Sequence, residues 1–482
     1  MILALGSWAL ASPVGSAPDE NFHLTSIWCA NAARTDLCKP ATDPSERFVP
    51  PATVFASCFA GDATLTAICQ DPIMARGSEP TVKTNSGSFE NNYPPLFYDA
   101  MNLLASGDIV LSVVLMRLVN VLIFVGISTA LWLLLPVQRR SSLAWGWLIS
   151  TVPLGLFLIA SDNPSSWAII GVGSAWLALL GYFESRGRSK VLLGGVYALS
   201  VLVAAGSRAD SAIYAGFATM IVVLLTFARS RHYFLSALLP LAMCIVAAIF
   251  YFSSGQSAIA SGDGLGPHNQ SNGPLDAFGL LAYNLLNVQS LWAGVFGSWP
   301  LGWLDTELPA IVSFGAVAVF VAVGFAGLAI GSKRKAIALT ATVLVLWILP
   351  TYVLISGGDH VGQNVQPRYL LPLIVMLGGM LVLAARGRVF AVGRWQGVIL
   401  ILALCIAQAI ALHVNIRRYV TGINVQGWNL DAAPQWWWQG LALSPMGVWA
   451  IGLLSFSALV VIVVCELGRA TPATERPELL VP

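Results

Sequence analysis

Long apolar runs dominate this sequence and limit the folds that it can adopt. Runs of about 17 to 28 residues recur along the chain, and only 10% of all residues are charged, whereas a soluble protein has about 25%. Backbone polar groups find no water inside a bilayer, so a spanning segment must be a helix or part of a closed barrel. A barrel strand needs only about 10 residues. The runs therefore predict an all-α polytopic membrane protein.

We predict about twelve transmembrane helices from these runs. They lie at 2–17, 109–136, 143–160, 167–183, 191–206, 211–228, 234–252, 309–331, 336–356, 370–385, 397–413 and 446–465. The first run is short and has no basic residue before it, so a cleaved signal peptide or a start site placed too late are alternatives. We favour a true first span at 1–17, because the residues that follow have the character of a functional site.

The basic residues predict how the spans are oriented. With the N-terminus inside, fifteen of the 25 Lys and Arg residues fall in cytoplasmic loops or the C-terminal tail, as the positive-inside rule requires. Of the 23 acidic residues, only four fall on that side. The net charge of +2 therefore gives no reason to expect a nucleic-acid partner, because the charges are segregated across the membrane.

This orientation divides the chain into alternating membrane and outer segments. The predicted segments are the first span, an extracytoplasmic loop at 18–108, spans two to seven within 109–252, a second outer loop at 253–308, spans eight to twelve within 309–466 with an outer loop at 414–445, and a cytoplasmic tail at 467–482. Three outer stretches are apolar or rich in tryptophan and predict helices that lie along the membrane surface. They are residues 91–108, 275–299 and 433–443.

Four of the seven cysteines fall in the first outer loop, at Cys29, Cys38, Cys58 and Cys69. Clustered thiols in an oxidising compartment predict two disulfides. The sequence alone allows three pairings, and we favour the short loops Cys29–Cys38 and Cys58–Cys69. A zinc site is the alternative, although no C-x-x-C spacing is present.

Two adjacent carboxylates, Asp19 and Glu20, directly follow the first apolar run. One interpretation is that they cap a helix that begins near Phe22, since acids are favoured at a helix N-terminus. The other is that one of them is a general base at the membrane surface. Partial burial beside apolar surface would raise the pKa of such a carboxyl towards a useful range.

Further polar residues collect at the outer ends of the predicted spans. Arg117 lies about two turns inside the second span, at a depth where an ionisable side chain is costly and is usually paired or functional. The others predicted to line the same pocket are His23, Asp162, Asn163, Arg208, Asp210, His360, Arg368 and Tyr369. Interfacial arginines can simply extend to water, and Arg117 can simply pair with a nearby acid. Together they predict a pocket for a lipid-borne phosphate, because arginine binds phosphate oxygens bidentately.

Four short motifs resemble those of a bacterial membrane family catalogued as domain of unknown function 2142. They are "PDENFH" after the first run, "YPP" before the second span, "SRAD", and "QPRYLLPL". That family is similar to the GT-C superfamily of integral membrane glycosyltransferases, and the resemblance covers nearly the whole chain. It implies a GT-C-like fold in the bacterial plasma membrane, with the active site on the extracytoplasmic side.

The same resemblance implies a reaction and roles for the residues. The GT-C base is an acid just after the first span, which matches Asp19, with Glu20 second. The donor would be a sugar on a polyprenyl phosphate, whose phosphate Arg117, Arg208 and Arg368 would hold. The acceptor would be a glycan or glycolipid of the cell envelope.

We expect no cofactor. The glycine-rich stretch at 261–274 lacks the strand and helix context of a nucleotide-binding loop, so a nucleotide sugar is not the expected donor. A divalent cation is an alternative, because Asp19, Glu20, His23 and Asp162 are hard ligands, but their spacing is not distinctive.

Two other classes of function remain open. A flippase for lipid-linked saccharides would share the spans and the basic residues, but it would have polar residues in the middle of its spans. Here they concentrate at the outer ends, which favours an enzyme. The other class is a non-catalytic subunit of envelope assembly, and replacing Asp19 by Asn would leave such a subunit's partners in place.

Overall fold

The computed structural model describes residues 1–256, 277–329, 331–384 and 390–469. Its helices are α1 (Ile2–Leu10), α2 (Glu20–Trp28), α3 (Pro51–Phe55), α4 (Asp71–Met74), α5 (Leu96–Asn102), α6 (Ile109–Leu134), α7 (Val137–Ser150), α8 (Leu154–Ile159), α9 (Pro164–Glu184), α10 (Gly187–Ala205), α11 (Ala209–Thr226), α12 (Arg231–Ser236), α13 (Leu238–Phe252), α14 (Ala277–Asn287), α15 (Gln289–Ala293), α16 (Ala310–Leu328), α17 (Lys333–Gly357), α18 (Leu371–Leu381), α19 (Arg394–Val420) and α20 (Pro445–Arg469). The glycine-rich stretch at 261–274 and all but the first three residues of the tail at 467–482 lie outside the described residues.

Within the described ranges, nine helices are long and apolar enough to cross a membrane. They are Ile109–Leu134, Pro164–Glu184, Gly187–Ala205, Ala209–Thr226, Arg231–Phe252, Ala310–Leu328, Lys333–Gly357, Arg394–Val420 and Pro445–Arg469. Each coincides with one of the twelve predicted spans. The chain is therefore a mostly helical polytopic membrane protein, as its apolar runs predict.

The other three predicted spans are shorter helices than expected, so the total of twelve stays a prediction. The first run forms only α1, and the chain leaves the helix before Pro13, because the residue before a proline disfavours helical geometry. The run at 143–160 is divided into α7 and α8 at Pro153, which has no backbone N–H to donate. The run at 370–385 forms the eleven-residue α18.

Helix α9 lies at the centre of the bundle. It packs against α6, α10, α11 and α18, and its apolar stretch is 89% buried within the protein. Gly171 lets α9 approach α10 closely, since a Cβ there would lie 2.5 Å from the carbonyl oxygen of Ser200. Small residues are what close helix packing in a membrane requires.

The first loop is a compact unit rather than an extended connection. It contains a three-stranded antiparallel sheet in the order β1 (Lys39–Pro40), β2 (Arg47–Val49) and β3 (Val82–Thr84). Disulfides join Cys29 to Cys38 and Cys58 to Cys69. The favoured short-loop pairing is therefore confirmed.

The predicted surface helices differ from one another in the structure. In 91–108 the helix is the short α5, whose Phe97 and Met101 are buried in a cluster with Leu24 and Ile27 of α2 rather than left for lipid. In 275–299, α14 leaves Phe278 and other apolar side chains exposed, as a surface helix would. Residues 433–443 form no helix.

Candidate active site

The backbone that follows α1 is held by the buried Arg117 of α6. Its guanidinium donates hydrogen bonds to the carbonyl oxygens of Ala9 (3.1 Å), Ser12 (2.5 Å) and Pro13 (2.8 Å). The segment between α1 and α2 has no regular structure of its own, so these bonds replace the partners that a helix would have supplied. Arg117 therefore fixes the path of the chain that leads to Asp19.

Glu20 and Asp162 lie in the same buried cluster as Arg117. The Glu20 carboxylate accepts from Arg117 at 2.9 Å and from the backbone N–H of Ala17 at 2.7 Å, and it is fully buried. The Asp162 carboxylate is 3.8 Å from Nε of Arg117. None of the three lines the large cavity described below, so the structure separates them from the other predicted site residues.

Asp19 stands at the junction between this segment and α2 in an unusual conformation. Its φ of 57° is left-handed, which costs free energy for a residue other than glycine and persists only where the surroundings enforce it. Its side chain makes no capping bond to α2 and is 47% exposed. Asp19 therefore occupies the N-cap position of α2, as the helix-cap interpretation expects, but its side chain does not cap the helix.

Arg368 and Asn163 hold Asp19 in this conformation. Arg368 pairs with the Asp19 carboxylate and donates to the carbonyl oxygen of Pro18 at 3.2 Å. Asn163 donates to the same carbonyl oxygen at 2.6 Å. The nitrogen that pairs with Asp19, Nη2, makes a third bond, to the hydroxyl of Tyr369 at 3.1 Å. Both terminal nitrogens of Arg368 are thus used to position the loop, while its Nε is buried without a hydrogen-bond partner.

Arg368 also determines the charge of Asp19. Partial burial would raise the pKa of the Asp19 carboxyl, but the charge of Arg368 and its hydrogen bond, with smaller effects of His23 and Arg208, lower the pKa below its ordinary value. The sequence-based expectation of a raised pKa is therefore wrong. An ion pair with a buried guanidinium keeps Asp19 ionised.

His23 is buried beside Asp19 and is neutral. Burial lowers its pKa to about 3, although the Asp19 carboxylate opposes that shift. Its Nδ1 lies 3.0 Å from the hydroxyl of Tyr98, and its ring contacts Phe22 and Tyr93 edge to face. His23 therefore belongs to an aromatic cluster behind the carboxylate.

Arg208, at the start of α11, has one terminal nitrogen available. Its Nε and Nη2 donate to the two carboxylate oxygens of Asp210 at 2.9 and 2.8 Å. Its Nη1 makes no hydrogen bond within the described residues. The guanidinium carbon lies 4.6 Å from the ring centroid of Tyr369 and 5.8 Å from that of Tyr93, and such stacking fixes its plane. Arg208 is therefore oriented and still able to bind.

Asp19, Arg208 and Tyr369 line one cavity of about 690 Å³. Its described walls also include Phe22, Tyr93, Trp303 and Gln366. An adjoining groove of about 110 Å³ shares Arg208, Gln256 and Tyr369 with the cavity. The other groove walls are mainly apolar, with Ile213, Tyr214, Leu349 and Val353 from α11 and α17, and include Asp210. A polar chamber that continues into an apolar groove suits a ligand with a polar head and a lipid tail.

His360 lies beside this cavity without lining it. Its ring contacts that of Tyr283 at 5.1 Å, and its backbone N–H donates to Gln363 at 2.8 Å, which does line the cavity. The structure thus brings Asp19, Arg208, Arg368 and Tyr369 together, and it places His360 in the supporting loop.

Most residues of the cavity wall were not among the predicted site residues, and Tyr93 and Trp303 are two of them. Tyr93 lies in the "YPP" motif, so its proximity to a motif was the available signal. Nothing in the sequence marked Trp303 as a site residue, because it is tied to this region by a long-range contact. Its indole N–H donates to the carbonyl oxygen of Gly15 at 2.8 Å, and the two residues are 288 positions apart in the sequence. No three His, Cys, Asp or Glu side chains cluster as metal ligands within the part of the chain that the structure describes.

The apolar helices and the loops packed on one end of the bundle define a multi-pass membrane protein with a pocket at that end. A family model described as "Predicted membrane protein (DUF2142)" matches residues 2–377. The chain belongs to this family, as the motifs of its outer loops suggest. No curated protein and no solved structure matches it significantly.

Proposed function

We propose that this protein is an integral membrane glycosyltransferase of the GT-C type, which moves a sugar from a polyprenyl phosphate to an envelope glycan or glycolipid. One observation carries the proposal. A single cavity joins an ionised carboxylate, Asp19, to an oriented arginine, Arg208, and continues into an apolar groove. Glycosyl transfer from a lipid phosphate needs these three elements.

Asp19 is the proposed base. The acceptor hydroxyl forms a bond to the anomeric carbon while its proton passes to the Asp19 carboxylate, and the bond from that carbon to the phosphate oxygen breaks. A carboxylate with a low pKa receives the proton only as the hydroxyl attacks. Its exposed side chain can then return the proton to water. Glu20 is too deeply buried for this role and is assigned to the structural cluster around Arg117.

Arg208 is the proposed ligand of the departing phosphate. Its Nη1 can donate to a phosphate oxygen, and the guanidinium charge stabilises the negative charge that develops on the leaving group. Tyr93 and Tyr369 hold its plane, so less motion is frozen when the phosphate binds. Arg368 is instead proposed as a positioning residue, because its bonds to Pro18 and Asp19 use its terminal nitrogens.

The apolar groove is proposed to hold the first units of the polyprenyl chain. It begins at Arg208 and runs between α11 and α17, with Tyr214 and Leu349 among its walls. A phosphate bound at Arg208 would therefore have its lipid tail at the groove entrance. This arrangement explains why such an enzyme would be embedded in a membrane.

The cavity is proposed to face the extracytoplasmic side of a bacterial plasma membrane. Both disulfides lie in the first loop, and disulfides persist in oxidising compartments. The opposite ends of the helices carry the basic loops, which favour the cytoplasm. A cysteine introduced at Ser189, in a protein without its native free thiols, should resist impermeant maleimide in intact cells and react after permeabilisation. Labelling from outside would reverse this orientation.

Transfer is tested with purified protein in detergent and a panel of polyprenyl-phosphate sugars, by measuring release of the polyprenyl phosphate together with glycosylation of an acceptor. A parallel assay in liposomes follows movement of the same lipids between leaflets. Release that requires acceptor supports the enzyme. Leaflet exchange without release would support a flippase, and neither activity across the panel would support an assembly subunit.

A further inference from the structure

The charges in the cavity are already paired. Of the described lining residues, Asp19 and Arg208 are the charged ones. Asp19 is neutralised by Arg368, and Arg208 is held bidentately by Asp210. Nη1 is the one nitrogen of Arg208 that makes no hydrogen bond within the described residues, and it is the one assigned above to the lipid phosphate. A second anion would meet no further cation among the described lining residues, and burying an unpaired charge is unfavourable.

Neutral amides supply most of the other polar groups of the wall. The side-chain amide of Gln366 and that of Asn92 make no hydrogen bond within the described residues, although both residues line the cavity. Asn364 donates to Asp359 at 2.9 Å, which leaves its carbonyl oxygen as an acceptor. Each amide carries both a donor and an acceptor group, and a hydroxyl group needs both kinds of partner.

Aromatic rings form the apolar part of the same wall. Phe22 and Trp303 line the cavity, and the bond from the Trp303 indole to Gly15 holds that ring in place. A sugar ring has C–H groups on its faces and hydroxyls around its edge. Aromatic rings with neighbouring amides therefore match both parts of an uncharged sugar.

We infer that the sugar transferred at this site is uncharged, a neutral hexose, pentose or N-acetylated sugar, and that Gln366 is a residue that discriminates against acidic sugars. The inference rests on the proposed function, and it adds the chemical class of the donor sugar. A carboxylate on the sugar would lie among amides and aromatic rings instead of opposite a cation. The phosphate of the donor takes the one nitrogen of Arg208 that makes no hydrogen bond within the described residues, so a carboxylate on the sugar would have none.

The test compares two matched probes, a polyprenyl phosphate that carries a hexose and one that carries the corresponding hexuronic acid. Binding is measured by the shift in thermal stability of the detergent-solubilised protein, and transfer by release of polyprenyl phosphate. We expect the wild-type protein to bind the hexose donor at least tenfold more tightly. Equal binding, or tighter binding of the hexuronic acid donor, would overturn the inference.

Two variants of opposite charge and similar size provide the matched control. Gln366→Lys should shift the ratio of the two binding constants at least tenfold towards the hexuronic acid donor, whereas Gln366→Glu should shift it further towards the hexose. A steric disturbance would change both variants in the same direction and would overturn the role of Gln366.

The binding and transfer readouts separate this inference from the proposed function. If the hexose donor binds selectively but is not transferred, the transferase proposal fails and the neutral-sugar site stands. If both donors are transferred with equal efficiency, the transferase stands and the inference fails. If neither donor binds, both fail.

Discussion

Replacing Asp19 by Asn removes the proposed base and little else. Asparagine is one of the few residues that tolerate the left-handed conformation that Asp19 adopts. Its carbonyl oxygen can still accept a hydrogen bond from Arg368. The loop should therefore keep its path, which is also held by Asn163 through Pro18.

The magnitude follows from the two roles of the carboxylate. General-base catalysis contributes about 10²- to 10⁴-fold, which corresponds to about 3 to 5 kcal/mol of transition-state free energy. In the ion pair with Arg368, Asp19 is 47% exposed but Arg368 is only 3% exposed. The cost of removing the carboxylate therefore lies between the about 0 to 1 kcal/mol of an exposed pair and the about 3 to 5 kcal/mol of a buried one, and the hydrogen bond that asparagine can still accept offsets part of it. We therefore expect turnover to fall at least 100-fold while the melting temperature changes by only a few degrees.

The assay is release of polyprenyl phosphate under saturating donor, with donor binding measured in parallel. Glu46→Gln is the control, because it also replaces a carboxylate of the first loop and breaks an ion pair, with Lys83 at 2.9 Å, away from the cavity. It should keep wild-type turnover. If Asp19→Asn keeps a third or more of the wild-type turnover, Asp19 is not the base.

Three further predictions concern charge, stability and the disulfides. Because Arg368 lowers the pKa of Asp19 below its ordinary value, their pair stabilises the fold above about pH 4, and this contribution is lost as the pH falls through the folded-state pKa. The difference in melting temperature between wild type and Asp19→Asn should therefore be constant near neutral pH and vanish in acid. An unchanged difference in acid would contradict the pairing. Arg117→Met should lower the free energy of unfolding by about 3 to 5 kcal/mol, because it leaves Glu20 buried without its partner. Adding Glu20→Gln should restore part of the stability measured by thermal unfolding, and no recovery would contradict the pairing. Replacing both Cys58 and Cys69 by Ser should destabilise the first loop by about 2 to 5 kcal/mol, which would be measured as an increase in its protease sensitivity. Ready thiol labelling of either cysteine in the unreduced wild-type protein would show that the two cysteines are not bonded.

The length and spacing of the apolar runs determined the fold class. An apolar run much longer than a barrel strand crosses a bilayer only as a helix, so nine of the spans could be predicted from the runs alone. The disulfide pairing was also accessible, because short loops between neighbouring cysteines close at low entropic cost. At Pro13 and Pro153 hydropathy overestimated the helix length, since hydropathy does not register a missing backbone donor, whereas Pro350 lies inside α17 without ending it.

The roles of the charged residues were decided only by tertiary structure. Asp19 and Glu20 are neighbours in sequence, yet one carboxylate lines the cavity and the other is buried against Arg117. Likewise, the sequence could not distinguish Arg208 from Arg368 as phosphate ligands. An arginine's role depends on which of its nitrogens are already occupied, and those partners come from segments as far as 350 positions away in the chain. The sequence therefore determined which segments span the membrane and which charged residues lie near their ends, while long-range packing determined which of those charges remain available to a substrate.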